Sequence, residues 1–214
     1  MSEIFREIDE ELRRDNIVKL WREYGKYVIG LAVLAVVATL GIVKWQDFKL
    51  EQRREEGVRY AAALDLAQKG KDAEAADAFA QIAHEVGGGR AVMARLEEAA
   101  LRAKAGDTDK AVALYDALAD DGGVDKVYRD LASLLAARYS FDKADPAAII
   151  ARLKPLTEGD NPWQATALEL TAAAQLKAGD KAAALATYTR LADDLKAPQG
   201  VRTRATEMVA VLHQ

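Results

Sequence analysis

Seventeen consecutive residues, 27–43, carry no charge, while the rest of the chain alternates apolar and polar positions at helical spacing. The run reads YVIGLAVLAVVATLGIV and lies between Lys26 and Lys44. As a helix it rises about 26 Å, a little less than a hydrocarbon core of about 30 Å. Its flanks close the gap. Lys26 and Lys44 can extend their ammonium groups toward water. Trp21, Tyr24 and Tyr27 precede the run, and Trp45 and Phe48 follow it, as in an interfacial aromatic belt. The pattern predicts one transmembrane helix over 27–45, with Tyr27, Leu31, Leu34, Val37, Leu40 and Val43 as its lipid-facing anchor.

Before the run, Ile4, Ile8 and Leu12, then Ile17, Leu20, Trp21 and Tyr24, form a helical stripe. Asp9/Arg13 and Glu10/Arg14 are favourable pairs one turn apart. Residues 1–26 are therefore an amphipathic tail, suited to lie along a membrane surface or to dock a membrane partner. This tail is long and mixed in charge, unlike the short positive region of a cleaved signal peptide, and KWQDFKLEQRRE after the span offers no small-residue cleavage site. The segment is expected to stay as an anchor. Five Lys/Arg flank it closely on each side, so charge alone does not orient it. Between Thr39 and Arg59 only Gly41 and Gly57 interrupt the helical pattern, so the span can run on into the next domain as a stalk, although Glu51/Glu55 and Arg54/Val58 show no opposing charge design there.

Residues 46–214 repeat themselves. AAALDLAQKGKDAEAADAFAQIAHE from Ala61, EAALRAKAGDTDKAVALYDALADD from Glu98 and TAAAQLKAGDKAAALATYTRLADD from Thr171 align, with turn glycines Gly70, Gly106 and Gly179. The glycines are 36 and 73 residues apart, which leaves room for a degenerate repeat centred near 140–145. There LASLLAARYSFDKADPAAIIARLKPL offers a helix, a polar turn over Asp142–Asp145, and Pro146 at the start of a second helix. Five residues after each glycine come Ala75, Ala111 and Ala184; nine after come Phe79, Tyr115 and Tyr188. The small residue lets helices approach, and the aromatic one turn later fills the space to the next repeat. Asp180 and Lys181 directly after Gly179 predict an earlier helix start in that repeat. Residues 199–212 put Val201, Ala205, Met208 and Val209 on one face, as a capping helix would.

Composition agrees with an all-α chain: alanine is abundant and only four prolines occur. The net charge of −4 is spread thinly, and no basic face suits nucleic-acid phosphates. No cysteine is present, which excludes disulfides and thiolate chemistry. His84 and His213 have no partners at ligand or triad spacing. Gly87 to Gly89 lack the preceding strand and following Gly-Lys-Ser/Thr of a phosphate loop, and read as an inter-repeat connection. Glu97/Glu98, Asp120/Asp121 and Asp193/Asp194 do not follow a cation-binding loop pattern, and the last two pairs fall where helices should end in solvent. No catalytic residue, cofactor, metal or small-molecule substrate is expected.

The repeats resemble the tetratricopeptide repeat, a helix, a Gly-Asp turn and a second helix with a period near 34. The likeness is close in the turns and second helices and weak in the first helices, where Ala, Glu and Arg replace the usual larger residues. Together with DEELRRDNIVKLWREYGKYVIG from Asp9 and ARLEEAALRAKAGDTDKAVALYDALA from Ala94, the chain resembles the bacterial ancillary subunit of the SecYEG translocon, a membrane-anchored tetratricopeptide-like protein. That resemblance implies a single-pass inner-membrane protein with a cytoplasmic N-terminus and periplasmic repeats. It implies the Sec translocon and periplasmic chaperones or emerging chains as partners, in a non-enzymatic scaffold. An envelope scaffold for cell division or peptidoglycan assembly would share the architecture.

Overall fold

The computed structural model describes the backbone of residues 2–214, and side chains from Trp21 onward except Val28, Ala32, Val33 and Ala35. The tail positions Ile4, Ile8, Leu12, Ile17 and Leu20, and the pairs Asp9/Arg13 and Glu10/Arg14, lie outside the described side chains. The described residues are helical and contain no strand. They divide into two units, Met1–Glu55 and Glu56–Gln214.

The first helix, α1 (Ser2–Gln68), is continuous through the apolar run. No described side chain of that run is buried by the protein: Leu31, Leu34 and Val37 are each more than 60% exposed. Lys26 Nζ lies 5.1 Å from the Tyr27 ring centroid, and Lys49 Nζ lies 5.1 Å from that of Trp45. Contrary to the sequence reading of the stalk, it does carry an opposing pair, because Arg54 reaches Glu51 three residues back at 3.5 Å.

In the second unit, helices follow one another as hairpins: the end of α1 with α2 (Asp72–Glu85), α3 (Gly89–Lys104) with α4 (Thr108–Ala119), α5 (Lys126–Ser140) with α6 (Pro146–Leu153), and α7 (Gln164–Lys177) with α8 (Lys181–Asp193). Helix α9 (Gln199–Leu212) closes the row and buries Val201 and Ala205, with Met208 and Val209 half-buried beside them. Helix α6 is short because Pro155 follows it, and the chain tightens there into a 3-10 turn over Lys154–Leu156. From α2 on, each helix packs on its neighbours in sequence, and α7 also touches α9.

The core is four clusters in series, and α3, α5 and α7 each belong to two of them. Helix α3 gives Ala94 and Leu101 to the cluster containing Phe79. It gives Val92 and Ala99 to the next cluster, around Tyr115. Helix α7 does the same, with Ala167 and Ala174 toward α6 and Leu168 and Ala172 toward α8. A helix clasped on two sides has little room along both stripes, and alanine takes most of those places beside Leu101, Val92 and Leu168. This is why the first helices are rich in alanine and depart from the repeat's usual larger residues. The second helices put their bulk into the gaps: Phe79 meets Tyr60 edge-on at 5.0 Å, and Tyr115 stacks on Tyr139 of the following repeat at 5.7 Å.

The turns share one geometry. Gly70, Gly106 and Gly179 have positive φ, and the residue after each donates its N–H to a carbonyl five residues back: Lys71 to Leu66, Asp107 to Arg102, and Asp180 to Gln175. This is the Schellman ending of a helix. All three second helices then begin two residues after the glycine, so the helix after Gly179 does not start early. Asp180 occupies the same capping position as Asp107 rather than the first helical turn. Replacing Gly106, at φ 93° with open space around its missing Cβ, should cost about 1–2 kcal/mol as Gly106→Ala, from the left-handed backbone alone. Urea unfolding should show a lower midpoint at an unchanged slope.

Candidate protein-binding groove

The first helices of the last repeats and the closing helix line a groove of about 810 Å³. Helix α5 contributes Leu134 and Arg138, α7 contributes Glu169, Leu170 and Ala173 from one face, and α9 contributes Arg204 and Met208. Phe141 and Tyr188 complete an apolar floor. Arg204 grips Glu169 through two parallel bonds, Nε to Oε1 at 2.6 Å and Nη2 to Oε2 at 2.8 Å, which fixes α9 against α7 along one wall. Arg138 has no ion pair among the described residues, although Asp142 and Glu207 share its lining. The groove therefore offers apolar surface with charges of both signs at its edge, the make-up of a site for a polypeptide segment.

The repeat-marking residues lie beneath this surface rather than on it. Ala75, Ala111 and Ala184 are fully buried, as are Phe79 and Tyr115, and Tyr188 is buried while touching the groove. Burial raises the hydroxyl pKa of both Tyr115 and Tyr188, so each stays neutral. The glycines stay at the turns, far from any common centre. Tyr27, Leu31, Leu34, Val37, Leu40 and Val43, expected from the sequence to anchor the span, stand on the exposed part of α1. His84 and His213 are exposed and apart. Among the described residues no cluster of His, Cys, Asp or Glu is arranged to hold a metal. Asp121 departs from its solvated reading: Arg95 donates to it at 2.7 Å and the Gly123 amide at 3.0 Å, and these bonds lower its pKa.

Sequence reasoning missed the polar bonds between successive repeats. Lys177 Nζ donates to the carbonyls of Phe141 at 2.5 Å and Asp142 at 2.9 Å, over the Phe141 ring, and so caps the turn of the preceding repeat. Lys104, at the same place in its own repeat, reaches Asp72 at 2.8 Å. Asp116 with Arg152, and Asp109 with Lys143, add further links one repeat apart. The available signal was charge complementarity at a separation of 32–36 residues, one repeat length.

These features define a helical-hairpin solenoid, a class that is typically a non-catalytic interaction scaffold. The family model for the tetratricopeptide repeat-like domain matches residues 19–209, and the chain belongs to that family. Among solved structures, a single-substitution variant of the nearly identical TPR-like repeats of a Podosopora anserina kinesin light chain is similar in fold. The TM-score is 0.57 at 15% identity, over 73% of this chain and 84% of that one. No curated protein sequence matches the chain.

Two substitutions separate the groove from the core below it. Ala173→Trp, at a half-buried position in the lining, should fill the groove and abolish capture of a bound partner while leaving the helical signal intact. Tyr188→Phe should change stability by less than about 0.5 kcal/mol, because the hydroxyl makes no protein hydrogen bond among the described residues. Circular dichroism melts of both variants check this.

Proposed function

We propose that the protein is a membrane-anchored interaction scaffold of the bacterial inner membrane, associated with the Sec translocon. In this reading residues 27–45 cross the bilayer, 1–26 lie in the cytoplasm, and 46–214 stand in the periplasm. The groove on the first helices then receives periplasmic chaperones or emerging chains close to the point of exit.

The observation that carries the proposal is the uninterrupted helix whose uncharged run is unburied, between aromatic and lysine flanks, in the same chain as a repeat domain. Apolar surface of that length is costly in water and favourable in a bilayer. The family supplies the second half of the argument, since tetratricopeptide repeat-like domains work by holding other proteins. The likeness of the tail and its Tyr-Gly-Lys approach to the span supports the translocon over other envelope assemblies.

Protease added to spheroplasts should digest the repeat domain, and protection until lysis would place it in the cytoplasm and end this reading. Affinity purification of the natively expressed chain in mild detergent should recover translocon subunits. Recovery of cell-division or peptidoglycan-assembly proteins instead would favour that kind of scaffold.

A further inference from the structure

A second concavity, sharing no residue with the groove, runs between the second helices α2 and α4 and is floored by α3. Its volume is about 550 Å³. Ala80 and Ala83 form one wall, Ala117 and Leu118 the other, and Glu98 sits in the floor.

Glu98 occupies a core position. Eight residues before the turn glycine, where α3 has Glu98, α7 has Thr171. This counterpart is buried and neutral, and Thr171 satisfies its hydroxyl on the Ala167 carbonyl at 2.7 Å. Glu98 is buried as deeply, at 7% exposure, yet accepts no hydrogen bond among the described residues. Its nearest cation, Arg102 Nε, is 3.9 Å away and itself lacks a hydrogen-bond partner, while the Arg102 terminal nitrogen donates to Asp77. Its oxygens are not among the fully enclosed unpartnered atoms, so the carboxylate ends on the furrow with no protein donor beyond the long contact to Arg102.

The furrow is also negative. Three carboxylates, Glu98, Asp120 and Asp121, line it against one guanidinium, Arg95, which Asp121 already holds at 2.7 Å. Asp120 at the rim is exposed and has no ion pair among the described residues. We propose that this furrow binds a basic side chain, arginine or lysine, presented by a segment of a partner polypeptide, with Glu98 as the acceptor at the bottom and Asp120 at the mouth. The alkyl stem of such a side chain would lie against the alanines while its charged end completes the hydrogen bonding that Glu98 lacks.

The electrostatics agree with an unfilled acceptor. Burial pushes the Glu98 carboxyl up, opposed by Arg102 on its own helix and Lys110 of α4, and reinforced by Asp77 of α2. His84 of α2, with Arg95, Asp120 and Asp121, completes the titratable and charged lining. A carboxyl held up in the folded state favours folding most at acidic pH, and that contribution fades as pH rises through the folded value. The unfilled furrow is thus least comfortable near neutrality. The melting temperature of Glu98→Gln should accordingly exceed wild type by more at pH 7 than at pH 4.

The test uses the full chain in detergent micelles and a fluorescein-labelled peptide of alternating leucine, alanine and arginine, beside the same peptide with citrulline for arginine. Anisotropy should show the arginine peptide binding at least about tenfold more tightly, as expected for a charge-assisted bond to a buried group. Glu98→Gln should abolish that preference, and Asp120→Asn should reduce it by about threefold. Ala173→Trp, in the other groove, should leave it unchanged. Equal binding of the two peptides by wild type, or an unaltered preference in Glu98→Gln, overturns the proposal. If Glu98→Gln does not fold, an unaltered preference in Asp120→Asn does so instead. Sedimentation revealing a dimer that Glu98→Gln dissociates would also overturn it, by making a second copy of the chain the occupant.

Discussion

Helices α3, α5 and α7 must each satisfy two neighbours at once, and that double burial governs the rest of the unit. Helix α3 keeps Ala94 and Ala99 on its opposed stripes, where larger side chains would push away α2 or α4. Alanine there makes close approach possible but supplies little apolar area of its own. The bulk has to come from the second helices, and Phe79, Tyr115 and Tyr188 provide it at one place per repeat. An aromatic ring from α2, α4 and α8, replaced at α6 by Ile149 and Leu153, set against methyl groups on the facing helices is a packing solution used again along the row.

The same constraint explains what could be read in the sequence and what could not. Turn glycines, the following small residue and the aromatic one turn later are local, at fixed offsets, and they marked the hairpins directly. The degenerate third repeat was legible through Pro146 and its polar turn, where Asp145 caps α6 by accepting from the Ala147 amide at 3.0 Å. The start of α8 was misread because Asp180 and Lys181 look helical in isolation. Only the shared Schellman geometry shows that Asp180 is the cap. The groove was not legible at all. It is assembled from α5, α7 and α9, whose facing residues are more than thirty positions apart and individually ordinary. Lys177 and Lys104 escaped for a related reason, since each finds its partner in the turn of the preceding repeat.

Glu98 illustrates the opposite case. Beside Glu97 it reads as one more acidic pair on a charged helix. Burial separates the two, because Glu98 falls on the stripe that faces the second helices. The repeat register then makes its oddity visible, by comparison with Thr171 rather than with any outside protein. In a repeated structure, each unit serves as an internal control for its neighbours.

The placement of the indole rings gives the molecule separate optical reporters. Of three tryptophans, Trp21 and Trp45 bracket the uncharged run, and Trp163 alone belongs to the repeats. Trp163 lies just ahead of α7, packed against the cluster that holds Leu153 and Leu156, with its Nε1 donating to the Val127 carbonyl at 2.9 Å. That bond joins the start of α5 to the start of α7 across a complete repeat. Emission from Trp163 in a chain stripped of the other two would follow the docking of one repeat on the next, while the other pair would follow the surroundings of the uncharged run. One chain thus carries a fluorescent gauge for its solenoid and another for its apolar helix, readable separately.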